Sequence, residues 1–401
     1  MRRICLTVIG LFVRFLQAFS QFYPVVRAEY SPRSLKLDEV NLVSSYYWQN
    51  GDHSAVTGGK GTEQGTDLAN GVEVKWIGYD QDTVRRSLVA SVGVDYHTAA
   101  SQANVSQTGA SKSYGKRIYP SLNWSVENLR KGTRFEAGAY YSGEYSYHSL
   151  GLDAGYAWKT KRDGEFDVKI NGFYDRVKLI YPSELRPGTV IVTSASGSGS
   201  SGIPSDPRVT LDGSFSFMQV INGRMQGSIA TDLVFQSGEL SLPFHRVYFQ
   251  NGSEAVELLP STRLKLPIGF RLNYFLGDNI ILRSYYRIYA DSWGIVSHTA
   301  SLEIPVKINP FFSVSPFYRY YTQTAARYFA PYGKHGSEDA YYTSNYSLSA
   351  FNAQFFGTGF RLALPKGLWG TPVKVVEFRY GHYTQTTDLV SDIVSMNLTF
   401  K

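Results

Sequence analysis

The stretch Arg263-Leu264-Lys265-Leu266-Pro267-Ile268-Gly269-Phe270-Arg271-Leu272-Asn273-Tyr274 carries an apolar side chain at every even position. Its odd positions are polar or small, with Pro267 the exception. Successive side chains of a β-strand point to opposite faces, so a period of two means one apolar and one polar face. The run is also long. Strands of soluble proteins average about five or six residues, whereas a tilted strand crossing a bilayer needs about nine to eleven.

The same pattern recurs along the chain. Leu88, Ala90, Val92, Val94 and Tyr96 alternate with Ser87, Ser91, Gly93, Asp95 and His97. Leu150, Leu152, Ala154, Tyr156 and Trp158 alternate with Ser149, Gly151, Asp153 and Gly155. Sixteen such strands are predicted, from Val40–Tyr47 to Leu389–Phe400. Between them, short turns such as Leu129–Gly132 and Gly277–Asn279 alternate with mostly longer loops such as Trp48–Thr66, Ser237–Thr262 and Thr324–Ser347. This is the rhythm of an up-and-down antiparallel barrel with short periplasmic turns and longer outer loops. An even strand number places both chain ends on one side. The expected fold is therefore all-β, a transmembrane up-and-down β-barrel of about 16 strands over residues 40–401.

Composition agrees. The 401 residues include Tyr 30, Phe 24, Trp 6 and Gly 37, an aromatic share of 15%. Mean hydropathy is -0.22, too polar for a bundle of membrane helices. A barrel conceals its apolar surface because only alternate residues meet lipid. Net charge is +7, but the basic residues form no runs, which argues against nucleic acid. The single cysteine, Cys5, excludes disulfides and thiolate chemistry from everything beyond the leader.

That leader is read from Arg2 and Arg3, the apolar run Ile4–Val13, and small residues at Ala18, Ser20 and Ala28. Charged, apolar and small segments in that order make a secretory signal peptide over residues 1–28, with cleavage after Ser20 or Ala28. A short periplasmic segment, residues 29–39, then precedes the barrel. The final strand sets Val390, Val394, Met396, Leu398 and Phe400 on one face and ends on an aromatic residue before Lys401. It resembles the terminal strands by which the barrel-assembly machinery recognises outer-membrane proteins.

The stretch Ser45-Tyr46-Tyr47-Trp48-Gln49-Asn50-Gly51-Asp52-His53-Ser54-Ala55-Val56-Thr57-Gly58-Gly59-Lys60-Gly61-Thr62-Glu63 is similar to the opening of an uncharacterised bacterial outer-membrane β-barrel family, a domain of unknown function. The resemblance continues through Glu144-Tyr145-Ser146-Tyr147-His148-Ser149-Leu150-Gly151. Loops of that family often read Asp-Gly-Asp-His, and Asn50 stands at the first place here. The resemblance implies an exported barrel and brings no catalytic residues with it.

Three groups of residues could carry function. The loop residues Asp52, His53 and Glu63 could donate oxygen and nitrogen to a ligand, or could be polar groups of a glycine-shaped hairpin. All seven histidines fall in outer loops or at outer strand ends, where they could bind metal or sit at the membrane–water boundary. The third group is the inward wall. Glu73, Asp95, Glu136, Asp153, Asp167, Asp212 and Asp232 outnumber Lys75, Arg134 and Lys169 in the first nine strands. Arg263, Lys265, Arg271, Arg283, Arg287, Lys307, Arg319 and Arg379 outnumber Glu303 and Glu377 in the last seven. Acidic and basic sides would set a field across the lumen, as in general porins; alternatively the charges pair and fill the interior. Arg283, Tyr285, Arg287 and Arg319 suit carboxylate, phosphate or sugar ligands, or cation–π packing.

Gly-x-Ser-x-Gly is absent, and His148 beside Ser149 on one strand points to opposite faces. No catalytic residue, metal site or cofactor is assigned. The expectation is a porin-like channel for small polar or anionic solutes, with a surface-binding barrel of plugged lumen as the alternative and an outer-membrane hydrolase behind both. Outer-membrane lipid and lipopolysaccharide would be its surroundings. Nothing in the sequence identifies an oligomer.

Overall fold

The computed structural model describes residues 33–80, 83–98, 114–185 and 203–401. The signal peptide read at 1–28, and the first residues of the segment after it, lie outside the described residues.

Among the described residues, seventeen paired segments form one sheet. Two of them, Val296–Glu303 and Val306–Lys307, are halves of one strand, which leaves sixteen. In chain order these are β1 (Arg33–Asn50), β2 (Gly65–Tyr79), β3 (Val84–Thr98), β4 (Tyr114–Asn128), β5 (Thr133–Glu144), β6 (Tyr147–Lys159), β7 (Gly164–Lys178), β8 (Ser205–Asn222), β9 (Met225–Gly238) and β10 (Thr262–Leu276). There follow β11 (Ile280–Asp291), β12 (Val296–Lys307), β13 (Phe312–Gln323), β14 (Phe351–Ala363), β15 (Val373–Gln385) and β16 (Leu389–Phe400). Every neighbouring pair is antiparallel, and β1 closes on β16 from Val40↔Phe400 to Asn50↔Val390. Closure leaves no open edge, which hydrocarbon would not tolerate.

Two breaks in the ladder fall at prolines, which have no N–H to donate. Pro305 splits β12, and the Ile304 N–H turns to the Pro316 carbonyl (2.9 Å). At Pro267 the β9–β10 register skips two residues, and the Thr231 hydroxyl donates to the Pro267 carbonyl (3.0 Å).

The faces divide as the period of two requires. β6 alternates without a break: Leu150, Leu152 and Tyr156 are exposed while Ser149, Gly151, Asp153, Gly155 and Ala157 are buried. Following cross-strand partners around the ring puts Leu152, Ile170, Leu211, Leu233, Leu264 and Phe270 on the outside, all strongly exposed. An apolar exterior around a polar interior inverts a soluble fold and is the arrangement a bilayer stabilises. One small apolar cluster, Val40, Val373 and Phe400, seals the β1–β16 seam where the described chain starts and ends.

One boundary departs from the sequence reading. β1 begins at Arg33 and not at Val40. Residues 33–39, expected as a segment ahead of the barrel, pair with β2 alone, with register shifts between Arg33 and Lys36 and between Leu37 and Glu39. The one-sided, bulged pairing explains why the alternation weakens there.

Short turns lie at the rim holding the chain ends, and the longer loops lie at the other. At the loop rim, β1–β2 and β9–β10 stand half the ring apart. Their loops nevertheless touch: the Arg246 guanidinium donates to the Val56 carbonyl (2.6 Å), and Gly58 packs so closely on the Tyr248 ring that a Cβ would lie 2.6 Å from it. The contact can form only across the mouth of the barrel. A hairpin, Arg246–Tyr248 with Glu254–Val256, stiffens the bridging loop. The β13–β14 loop completes the cap. Thr343 donates to buried Glu257 (2.5 Å), and His335 Nε2 lies 3.0 Å from the Thr343 carbonyl. Val247 and Thr343 are wholly buried.

Candidate site: a loop-capped cavity on the basic wall

β11 runs from the chain-end rim to the loop rim and presents Arg283, Tyr285 and Arg287 to the interior. On the adjacent strands, Arg287 pairs with Thr299 and Thr299 with Tyr321; the next partner, Ala353 on β14, is small. One step lower Arg319 pairs with Phe355 and Phe355 with Tyr383. The alanine in the upper row leaves a hollow between large neighbours. It opens into a cavity of about 570 Å³ whose wall includes Arg287, Thr299, Arg319, Tyr321, Phe355 and Tyr383. That volume lies in the range typical of small-molecule sites, about 300–1,000 Å³.

Loops add to the lining: His53 and Glu63 from β1–β2, and Tyr346 and Ser347 from β13–β14. Inward side chains of the wall hold these loops down. Gln49 donates to the Glu63 carbonyl (3.2 Å), and Gln323 donates to the carbonyls of Ser347 (3.1 Å) and Ser349 (2.5 Å). His53 stacks on Tyr346 at 3.7 Å between ring centroids, with its Nδ1 3.0 Å from the Gly59 carbonyl. Gly59 has φ +83, and a Cβ there would meet the Ser344 carbonyl at 2.5 Å, so both the conformation and the close approach need glycine. Burial pushes the Glu63 carboxyl above its ordinary value, with His53 and His245 pulling the other way.

The loop trio proposed from sequence is therefore divided. His53 and Glu63 line the cavity, whereas Asp52 is exposed and does not. Among the described residues no group of three or more His, Cys, Asp or Glu could hold a metal ion. The histidines separate by environment. His148 and His298 face outward at the loop rim beside Tyr141 (3.1 Å) and Tyr286 (2.7 Å), and His382 lies 2.8 Å from Asp392. Ser149 faces the interior, on the opposite side of β6 from His148.

The wall residues Asp95, Glu136, Asp153, Asp167, Arg271, Arg283, Tyr285, Arg287, Arg319 and Arg379 all share the inward face. The expected acidic side is largely neutralised in place. Asp95 is held by Arg117 (2.5 Å) and Tyr119 (2.8 Å), Asp153 by Lys169 (3.2 Å), and Asp167 by Arg134 (3.0 Å), which also approaches Glu136 (3.4 Å). Arg117 and Arg208 are further inward cations, absent from the sequence expectation; Arg208 binds Asp175 (2.8 Å). The basic side is less satisfied. Arg263 pairs with Asp291, and Arg283 and Arg379 share Glu303 (2.9 and 3.0 Å). Arg271, Arg287 and Arg319 have no carboxylate within salt-bridge distance among the described residues. Arg271 lies over the Tyr285 ring and Arg319 over Phe355, both at 5.6 Å. Toward the chain-end rim, Arg283, Lys307, Arg361 and Arg379 line a second hollow of about 390 Å³ with Glu303 and Glu377.

The family profile that matches the chain, over residues 81–391, is described as a protein of unknown function, DUF3570. No curated protein matches the sequence. Among solved structures the chain is similar to Pseudomonas aeruginosa OpdK with vanillate, at 8% identity and a TM-score of 0.39, covering 90% of this chain and 97% of that one. It is similar to P. aeruginosa OccD3 (OpdP) at 9% identity and a TM-score of 0.43, covering 94% and 95%. It is also similar to a deltaS2 mutant of the TodX monoaromatic hydrocarbon channel at 10% identity and a TM-score of 0.42, covering 92% and 90%. Likenesses this distant carry no argument about ligand or activity.

Proposed function

The chain belongs to the DUF3570 family, proteins described as being of unknown function, and from that premise we propose that it is an outer-membrane channel for small polar anions. Its apolar outer face suits the hydrocarbon core, with lipid and lipopolysaccharide around it and the barrel-assembly machinery inserting it. The observation that carries the reading is the uncompensated cation pair Arg287 and Arg319 in a capped cavity, with Arg283, Arg379, Arg361 and Lys307 following toward the other rim. A line of cations along one wall lowers the free energy of an anion at each step, and neighbouring carboxylates keep any single step from trapping it. Planar bilayers holding the purified barrel under a salt gradient test this. The expected reversal potential has the sign of anion preference; a silent bilayer, or cation preference, counts against it.

The loop bridge across the mouth favours a second reading, a surface-binding barrel with an occluded lumen. In that case the folded barrel carries no current, and shortening the β9–β10 loop abolishes binding to a partner without opening a conductance.

A further inference from the structure

Thr299 is 5% exposed, yet its hydroxyl has no hydrogen-bond partner. The Arg287 Nε is also buried and without one. The two residues are cross-strand partners on β11 and β12, and both line the capped cavity. Buried polar groups in folded proteins are nearly always paired, and an orphaned donor is destabilising. Arg319 lines the same cavity, so its wall carries two guanidinium groups with no carboxylate partner among the described residues, and an acceptor in the cavity would answer both. The remainder of the cavity is chemically different. Tyr321, Phe351, Phe355 and Tyr383 supply aromatic surface, and Ala353 leaves room between them. Glu63 lies on the loop side, bringing a carboxyl to the same cavity.

We propose that this cavity is a binding site for a small aromatic monocarboxylate. Arg287, Arg319 and the Thr299 hydroxyl take the carboxylate, and the ring lies among Tyr321, Phe351 and Phe355. The guanidinium fork matches a carboxylate in geometry as well as charge. Rings stacking on rings gain affinity beyond the area buried, so an aromatic body should bind better than a saturated one. The Glu63 carboxyl on the loop side offers no cation to a second negative charge on the ligand.

The proposal rests on the channel reading for its biological sense, but its test does not need current to flow. Benzoate is titrated into the purified, folded full-length barrel by calorimetry, with benzyl alcohol, cyclohexanecarboxylate, phthalate and inorganic phosphate as comparisons. Benzoate should bind about tenfold or more tightly than benzyl alcohol, a difference of about 1.4 kcal/mol. Cyclohexanecarboxylate, phthalate and phosphate should all bind more weakly than benzoate. Arg287→Gln and Arg319→Gln should each weaken benzoate about tenfold or more, and Thr299→Val several-fold, while Lys116→Gln on the outward face leaves it unchanged. The near-isosteric Thr299→Val guards against loss of folding, which heat-modifiable migration in gels monitors for every variant. Equal affinity for benzoate and cyclohexanecarboxylate overturns the aromatic assignment, and tighter phthalate binding overturns the single charge. Benzoate affinity indifferent to Arg287, Arg319 and Thr299 overturns the site. Anion-selective current from a barrel that binds no benzoate would sink this inference and leave the channel reading standing. Binding without current would do the reverse.

Discussion

Glu63 belongs to a loop that the wall pulls into the barrel mouth, and burial raises its carboxyl above the ordinary range. Docking of that loop therefore favours the protonated form. Below the unfolded value Glu63 is neutral in both states and costs nothing. As pH climbs through the unfolded and then the raised folded value, docking loses free energy, and above the latter the loss is complete. Limited proteolysis of the 51–64 loop should thus run several-fold faster at pH 8 than at pH 4 when corrected for protease activity. Glu63→Gln should abolish that difference; a variant that keeps it would show that another group titrates. At this scale the sequence was informative about which face a residue occupies and poor at naming its neighbours. Arg287 and Arg319 were legible as inward cations because each sits on the polar phase of a strand. The orphaned Thr299 hydroxyl was not, because a threonine on a polar phase looks like any other. The pairings of Asp95 with Arg117 and Asp175 with Arg208 are cross-strand neighbours whose meeting depends on register.

At the scale of the element, the two faces of a strand should differ in what they tolerate. Ile170 projects outward from β7 and is 66% exposed. Ile170→Arg places a charge against hydrocarbon and should cost about 2–4 kcal/mol if it lies near the midplane. Ala230 faces inward from β9, opposite Ser216 and Gly269. Ala230→Arg should change stability by less than about 1 kcal/mol, since a surface substitution facing water rarely does more. Urea unfolding of the barrel in lipid vesicles measures both. Equal sensitivity at the two positions would mean that the faces are assigned the wrong way round. Strand positions were readable because the period of two persists over a dozen residues, long enough to override exceptions such as Pro267. The start of β1 was misplaced because Arg33–Glu39 pairs on one side only, where nothing enforces strict alternation.

At the scale of the whole molecule, the loop bridge sets how open the barrel can be. Arg246 is 3% exposed and joins three loops, through the Val56 carbonyl and the Glu184 carboxylate (2.5 Å). Arg246→Ala deletes these charge-assisted bonds and should weaken loop docking by about 1.5–3 kcal/mol. Unitary conductance should rise, or open-state noise should grow, with no change in the unfolding of the strands. An unaltered conductance in a variant whose loops have become protease-sensitive would show that the constriction lies in the wall and not in the cap.

The residues by themselves determined a closed barrel of about sixteen strands, since hydrophobic period, strand length and the rhythm of turns and loops are local properties that backbone sterics and the bilayer translate directly into structure. They also placed many of the inward charges, Arg287 and Arg319 among them, but not Arg117 or Arg208. Tertiary structure alone decided which of those charges are neutralised, that loops rooted half a ring apart meet across the mouth, and that His53 and Glu63 share a cavity with Arg287. The physical reason is distance along the chain: register pairs residues tens of positions apart, and loop docking joins positions separated by nearly two hundred, beyond the reach of any local pattern.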